Sequence, residues 1–285
     1  MITKNYIAKG EGANRFEKIP VQIYETADEA VKAVAREIVD LVQTKAASSE
    51  KCVLGLATGV SPIKLYQELV RLHREEGVSF RNVVTFNLDE YLPMPKESEQ
   101  SYHYFMHHHL FDHIDIDPKN IHIPDGTLEG DEIDKFCRDY EKAIDAAGGI
   151  DLQILGIGRT GHIGFNEPGS FITSQTRKVF LNDLTIKDAI KDFGSRNLVP
   201  TKAITMGVGT IMQARRVILM AWGEKKAPII KATVEGRVSD SVPATFLQMH
   251  SNVQFIIDES AASELTRADY PWLVSKVDWD DKLIR

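Results

Sequence analysis

Apolar positions at helical spacing run through DEAVKAVAREIVDLVQTKA, which follows a polar arm of about 20 residues; Thr26 or Asp28 stands where an N-cap belongs. KCVLGLATG comes next, a short apolar run ending in a glycine turn, and it reads as a buried strand. From Ser61, SPIKLYQELVRLHREEG predicts a helix with Pro62 in its first turn and Gly77 at its stop. VVTFNLDEY is a further strand-like run. The alternation of buried strand, turn and helix then repeats with DLQILGIG (151–158), AITMGVG (203–209), RVILMAWG (216–223) and VQFIID (253–258), separated by helical stretches such as KKAPIIKATVEG. Continuous apolar strands alternating with helices predict an α/β protein with one mainly parallel sheet covered on both faces. No internal repeat or low-complexity linker interrupts residues 20–260. The expected organisation is a single domain over residues 1–265 with a short N-terminal arm, followed by a charged, amphipathic tail over 266–285. The tail ends at Arg285 without a Gly or Pro stop signal and could lead into a further segment.

Composition narrows the classes of function. The chain has 285 residues, 43% hydrophobic and 26% charged, enough for a full core without staples. Its 34 Lys and Arg against 41 Asp and Glu give a net charge of −7, which argues against nucleic acid as a partner but leaves room for one local positive site. No apolar run approaches the roughly 18 residues of a membrane span. MITKNYIAKGEGANRFEKIP lacks the apolar region of a secretory signal, so the expected location is cytoplasmic. Cys52 and Cys137 are the sparse cysteines of a reducing compartment and read as packing or surface residues.

Ligands of such sheets bind outside the carboxyl ends of the strands, so the post-strand turns are where chemistry is expected. In Leu56-Ala57-Thr58-Gly59-Val60-Ser61-Pro62 a glycine turn opens a helix. Free N–H groups, the helix dipole and two hydroxyls there suit an anion; the plainer reading is a tight turn with Ser61 as N-cap. Asn87-Leu88-Asp89-Glu90-Tyr91 sets two carboxylates at a strand end, of which at most one can aim into a given cleft; a solvated strand end is the alternative. Gly156-Ile157-Gly158-Arg159-Thr160-Gly161 spells G-x-G-x-x-G, with Asp183 about 20 residues on. Gly164, Pro168 and Gly169 forbid the helix that a dinucleotide site requires, which leaves a glycine-rich loop presenting His162 and Glu167 for proton transfer, or a structural His. Gly223-Glu224-Lys225-Lys226 offers a Lys to a phosphate or to solvent. His103 and His107, and His109 and His113, are spaced i, i+4, but no Glu follows the first His of either pair, and no metal site is expected.

Taken together, GLATGVSP (55–62), VTFNLDEY (84–91), LGIGRTGHIGFNEPG (155–169) and ITMGVGTIM (204–212) resemble the glucosamine-6-phosphate deaminase family, with GHIGFNEP the most specific part. The related 6-phosphogluconolactonases look similar in their glycine-rich loops but lack the GFNEP-like continuation. The resemblance implies a three-layer α/β/α, modified Rossmann-like fold and a cofactor-independent conversion of glucosamine 6-phosphate and water into fructose 6-phosphate and ammonia. It assigns ring opening to His162 oriented by Glu167, and proton transfer between C2 and C1 to Asp89. Phosphate binding falls to Thr58, Gly59, Val60 and Ser61, with Lys226 opposite.

Three departures stand out. Thr160, counted with the substrate-binding residues, occupies a position where the family carries Asp or Asn, so the pH dependence of ring opening should change. The family's phosphate-binding Arg has Lys191 as its nearest aligned position and Arg196 as a neighbour. Arg177 matches the allosteric cluster of the branch activated by N-acetylglucosamine 6-phosphate, but Val179 stands where a Lys is expected, which argues against that activation. The resemblance also makes residues 170–199 a lid of polar, irregular sequence, and the partner a small-molecule sugar phosphate, with a homo-oligomer left open. The rivals are a lactonase or isomerase for another sugar phosphate, and a non-catalytic phosphosugar sensor. A sensor needs the phosphate turn but not Asp89, His162 and Glu167 together.

Overall fold

The computed structural model describes residue 7 and residues 12–274. In chain order the elements are β1 (Val21–Tyr24), α1 (Ala27–Ala47), β2 (Cys52–Leu56), α2 (Val60–Glu76), β3 (Val83–Asn87), β4 (Asp89–Leu92), α3 (Tyr102–His109), β5 (Ile121–His122), α4 (Asp131–Ala146) and β6 (Leu152–Leu155). They continue with β7 (Arg177–Phe180), α5 (Asp183–Phe193), β8 (Lys202–Thr205), α6 (Val208–Ile211), β9 (Arg216–Ala221), α7 (Ala227–Val234), β10 (Val253–Asp258) and α8 (Thr266–Asp269).

Seven strands form a parallel sheet in the order β1-β10-β9-β6-β2-β3-β5. Alternate residues of one strand feed two cores. Val83 joins the layer under α1, α2 and α3, whereas Val84 and Phe86 join the layer built with Tyr140 and Ile144 of α4 and Ile230 and Val234 of α7. This is the expected three-layer α/β/α arrangement, and the central strands β2, β3 and β6 are buried along their whole length because both faces are covered. Helix α1 buries Ala30, Val34, Ile38 and Val42 on one stripe, and Thr26 caps it by accepting the Glu29 N–H. Cys52 and Cys137 are buried and free, their thiols pushed up to about 12 and about 11, first of all by burial.

The expectation of a single sheet is corrected. VTFNLDEY is not one strand: β3 ends at Asn87 and β4 starts at Asp89, in a separate sheet of order β4-β8-β7 with antiparallel pairing. Leu88 makes the transfer, its N–H still donating to Leu56 O of the parallel sheet (3.0 Å) while its carbonyl accepts from Met206 N (2.6 Å) beyond β8. AITMGVG, expected in the parallel sheet, supplies β8 of the small one. An apolar, extended run looks the same whichever sheet receives it, because the choice of partner is made by long-range contacts.

Strand β1 lies in the polar arm and pairs in parallel with β10 at the sheet edge, which its short VQIY pattern did not announce. The segment over 170–199 is more ordered than its polar sequence suggested, holding β7 and α5. In the segment expected to be the tail, Arg267 of α8 pairs with the buried Glu17 at 2.8 Å, and Val274 packs on Ala13. Residues 275–285 lie outside the described residues.

Candidate active site

The turns after β2, β3, β6 and β9 converge on one cavity of about 460 Å³. Its lining includes Thr58, Gly59, Val60 and Ser61 from the first turn, Asp89 from the second, His162 from the third and Lys226 from the fourth. Helix α2 is capped by Gly59 at φ +91°, a backbone shape that favours glycine, and no side chain caps it. The amide N–H groups of its first turn are therefore left for a ligand. Ser61 lies inside the helix and is not its N-cap. The carbonyl of Ser61 accepts from Trp222 Nε1 at 3.1 Å, which ties this turn to the end of β9. Lys226 Nζ reaches Ile157 O at 2.5 Å. Burial lowers its pKa, Asp188 opposes this and Lys191 adds to it, so a bound anion would suit both lysines.

Asp89 and Glu90 divide as the strand alternation requires. Asp89 is 5% exposed, lines the cavity and accepts no hydrogen bond among the described residues. Burial, and then the charge of Glu90, push its pKa well above the ordinary carboxylate value. Glu90 faces away and accepts from the backbone N–H groups of Tyr91 (2.9 Å), Tyr102 (3.0 Å) and His103 (3.0 Å), anchoring the start of α3. This sets Tyr102, the first residue of α3, in the cavity wall.

No helix follows the glycine pattern; Gly161 and Gly164 turn the loop at φ +77° and +56°. A Cβ on Gly158 would lie 2.0 Å from His162 Nε2, so the imidazole occupies the space that glycine leaves. A Cβ on Gly164 would come within 2.9 Å of Thr205 Oγ1 and 3.3 Å of Asp89 Oδ2, which shows how closely this loop is laid on Asp89. Thr205 Oγ1 also accepts the Phe165 N–H at 3.0 Å. Behind the ring, His162 Nδ1 stands 3.0 Å from Thr160 Oγ1 and 3.3 Å from Glu167 Oε2. Burial would raise the Glu167 pKa, but His162, Thr185 and the Asn182 N–H outweigh it and hold the carboxyl below its usual value. With Nδ1 facing an ionised carboxylate, Nε2 is the nitrogen left to exchange a proton in the cavity.

Lys191, on α5, lines the cavity, while its neighbour Arg196 pairs with Asp183 at 2.7 Å on the surface. Thr160, grouped with the substrate-binding residues from the sequence, touches His162 and Glu167 rather than the cavity wall. Arg177 is also outside the cavity lining, bonded to Asn166 Oδ1 at 2.9 Å and Ser170 Oγ at 3.3 Å. Sequence reasoning missed Tyr102, Phe165 and Trp222 in the wall. Trp222 directly follows β9 and the rule of post-strand turns could have found it; Tyr102 carries no such signal. Of the histidine pairs, His103 stacks on His107, which meets Asp112 at 2.8 Å, and His113 lies beyond α3 with Nε2 at His108 O (2.9 Å).

Residues 25–256 match the family of glucosamine-6-phosphate isomerases and 6-phosphogluconolactonases. The chain belongs to this family. It is 50% identical over 223 residues to the glucosamine-6-phosphate deaminase of Shewanella woodyi, covering 78% of this chain and 84% of that one. It is 48% identical over 271 residues to a glucosamine-6-phosphate deaminase-like protein of Bacteroides thetaiotaomicron, covering 95% of this chain but 41% of that much longer relative. Among solved structures, a monomeric glucosamine-6-phosphate deaminase superposes with a TM-score of 0.82 at 41% identity, covering 86% of this chain and all of that one (100%). Among the described residues of this family member, no helix is long and apolar enough to cross a membrane.

Proposed function

We propose that the chain is a glucosamine-6-phosphate deaminase that works by proton transfers alone. One observation carries the reading: a buried carboxylate (Asp89) with no hydrogen-bond partner among the described residues and an oriented imidazole (His162) face the same cavity as a helix N-terminus that no side chain caps, flanked by two lysines. The N–H groups of Val60 and Ser61, with the Thr58 hydroxyl, Lys191 and Lys226, bind the 6-phosphate. His162 Nε2 moves the proton between the anomeric hydroxyl and the ring oxygen, while Glu167 stabilises the imidazolium formed on the way. Asp89 takes the C2 proton of the open aldose while the substrate's ammonium group gives a proton to O1, yielding an enolamine, and then returns the proton to C1. The resulting C2 imine adds water and expels ammonia, leaving the ketose phosphate. A lactonase needs no carbon-to-carbon proton shuttle, and a buried base without a hydrogen-bond partner would be unused in a sensor.

The solved deaminase that the chain resembles is a monomer, so the proposal needs no homo-oligomer. Free, buried cysteines and a phosphorylated substrate suit a cytoplasmic site of action.

The test is ammonia release from glucosamine 6-phosphate by the pure protein, with Asp89→Asn beside it. Wild-type turnover and a loss of roughly 100-fold or more in the variant are expected, as for removal of a general base. An inactive wild type refutes the reaction; an active Asp89→Asn refutes the role of Asp89.

A further inference from the structure

The Glu167 carboxylate is held from two sides. Its Oε2 stands 3.3 Å from His162 Nδ1 and 3.4 Å from Thr160 Oγ1 on its own loop. Its Oε1 accepts from Thr185 Oγ1 and, at 3.4 Å, from the Asn182 N–H. Both of these donors come from the start of α5, where Asn182 is the N-cap and accepts the Leu184 N–H at 2.9 Å. Six residues after Thr185, about 9 Å along a helix axis, the same helix presents Lys191 to the cavity. Between them Asp188 pairs with Arg159 of the glycine-rich loop at 2.8 Å. Helix α5 thus touches the loop at Glu167 and Arg159 and the phosphate end of the cavity at Lys191. A hydrogen-bonded helix of 11 residues moves as a unit, so a shift that seats Lys191 on an anion also moves Thr185 relative to Glu167.

We propose that Thr185 is a positioning residue that links phosphate capture to ring opening: through Glu167 it fixes the His162 imidazole while α5 holds Lys191 over the phosphate. The inference rests on the proposed reaction, in which His162 and Glu167 open the ring. Glu167 must be ionised to hold the imidazole Nδ1–H, and the Thr185 hydroxyl is one of the groups that keep it so against burial. His162 is the charged group in contact with it; Arg159 of the loop is taken up by Asp188 of α5, and Arg177 on β7 is turned toward Asn166 and Ser170. A residue that only packs the helix would affect substrate binding through Lys191 and leave the ionisation of Glu167 alone.

The experiment compares Thr185→Val, which keeps the shape and removes the donor, with Thr185→Ser, which keeps the donor. Thr185→Ala serves in place of valine should the valine variant not fold. Ammonia release is followed against pH, and the Glu167 carboxyl is titrated by carbon-13 NMR in the free protein, assigned with Glu167→Gln. For Thr185→Val we expect kcat to fall roughly 10-fold and both the acid limb of kcat and the Glu167 midpoint to rise by about one pH unit, the worth of one hydrogen bond to a charged group. KM should change by less than about 3-fold, and Thr185→Ser should restore the profile. A raised KM with an unmoved pH profile, an unchanged Glu167 midpoint, or failure of the serine variant to rescue overturns the inference. An inactive wild type would refute the reaction alone, because the NMR titration decides the link between Thr185 and Glu167 without substrate.

Discussion

Asp89 and Glu90 are consecutive residues of β4 whose carboxylates point to opposite sides of the strand, one into the cavity, where no described residue donates to it, and the other onto the backbone N–H groups of Tyr91 and of Tyr102 and His103 at the start of α3. The pair gives the site a base raised by burial and, one residue away, an anchor for the helix that delivers Tyr102 to the wall. The charge of Glu90 also makes Asp89 harder to ionise.

Stability should record the titration of Glu90. Burial raises its pKa from 4.5 to about 7, against the N–H groups of Tyr102, His103 and Tyr91. Between those values the unfolded chain has released a proton that the folded protein keeps, so stability falls as pH rises through that window, by roughly 3 kcal/mol at most. Glutamine cannot ionise, so the difference in Tm between wild type and Glu90→Gln should shrink by roughly 5 °C on going from pH 4.5 to 7.5. Glu17, also raised to about 7, acts in both proteins and cancels in that difference. Thermal unfolding curves at several pH values measure it, and a constant difference would contradict it.

Thr160 should set the pH dependence of ring opening. Its hydroxyl lies 3.0 Å from His162 Nδ1 and 3.4 Å from Glu167 Oε2. Thr160→Asp places a second carboxylate beside Glu167, and like charges that close push one pKa up. The acid limb of kcat/KM should move to higher pH; a profile that superposes on that of the wild type would remove Thr160 from the ring-opening group.

Gly158→Ala should disable the enzyme while sparing the fold. The added methyl would lie 2.0 Å from His162 Nε2, so the ring must leave its place. A displacement of about 1 Å at a reacting group costs on the order of 100-fold in rate. Turnover should fall by that factor with little change in circular dichroism, whereas an active variant would show that the ring position is not needed.

Lys191→Met and Lys226→Met test the phosphate end. Each removes one charged donor from the cavity wall, and the inhibition constant of inorganic phosphate should rise roughly 10- to 100-fold for each, as expected for a hydrogen bond to a charged group. Isothermal titration with phosphate reads this directly. Unchanged binding in both variants would move the phosphate site elsewhere.

Much of the site was legible because post-strand turns are local. Four short segments carried Thr58 to Ser61, Asp89, His162 and Lys226, and the sheet brought them to one cavity, with Glu167 behind the His162 ring. Lys191 followed only from alignment, as the position nearest the family's phosphate-binding Arg, because the facing of a lid helix depends on its docking and not on its own pattern. Thr160 sat in the right loop, yet only the fold showed that it stands behind the imidazole.

The sequence by itself determined the α/β class, the buried strands, the glycine positions and the residue types able to move protons and hold an anion. These follow from periodicity and from backbone and side-chain chemistry that act over a few residues. Only the tertiary structure decided that the chain changes sheets at Leu88, that the Asp89 carboxylate has no hydrogen-bond partner among the described residues, and that Thr185 shares Glu167 with His162. Those outcomes depend on which distant segments meet, and no local pattern encodes a contact between residues 18 positions apart such as Glu167 and Thr185.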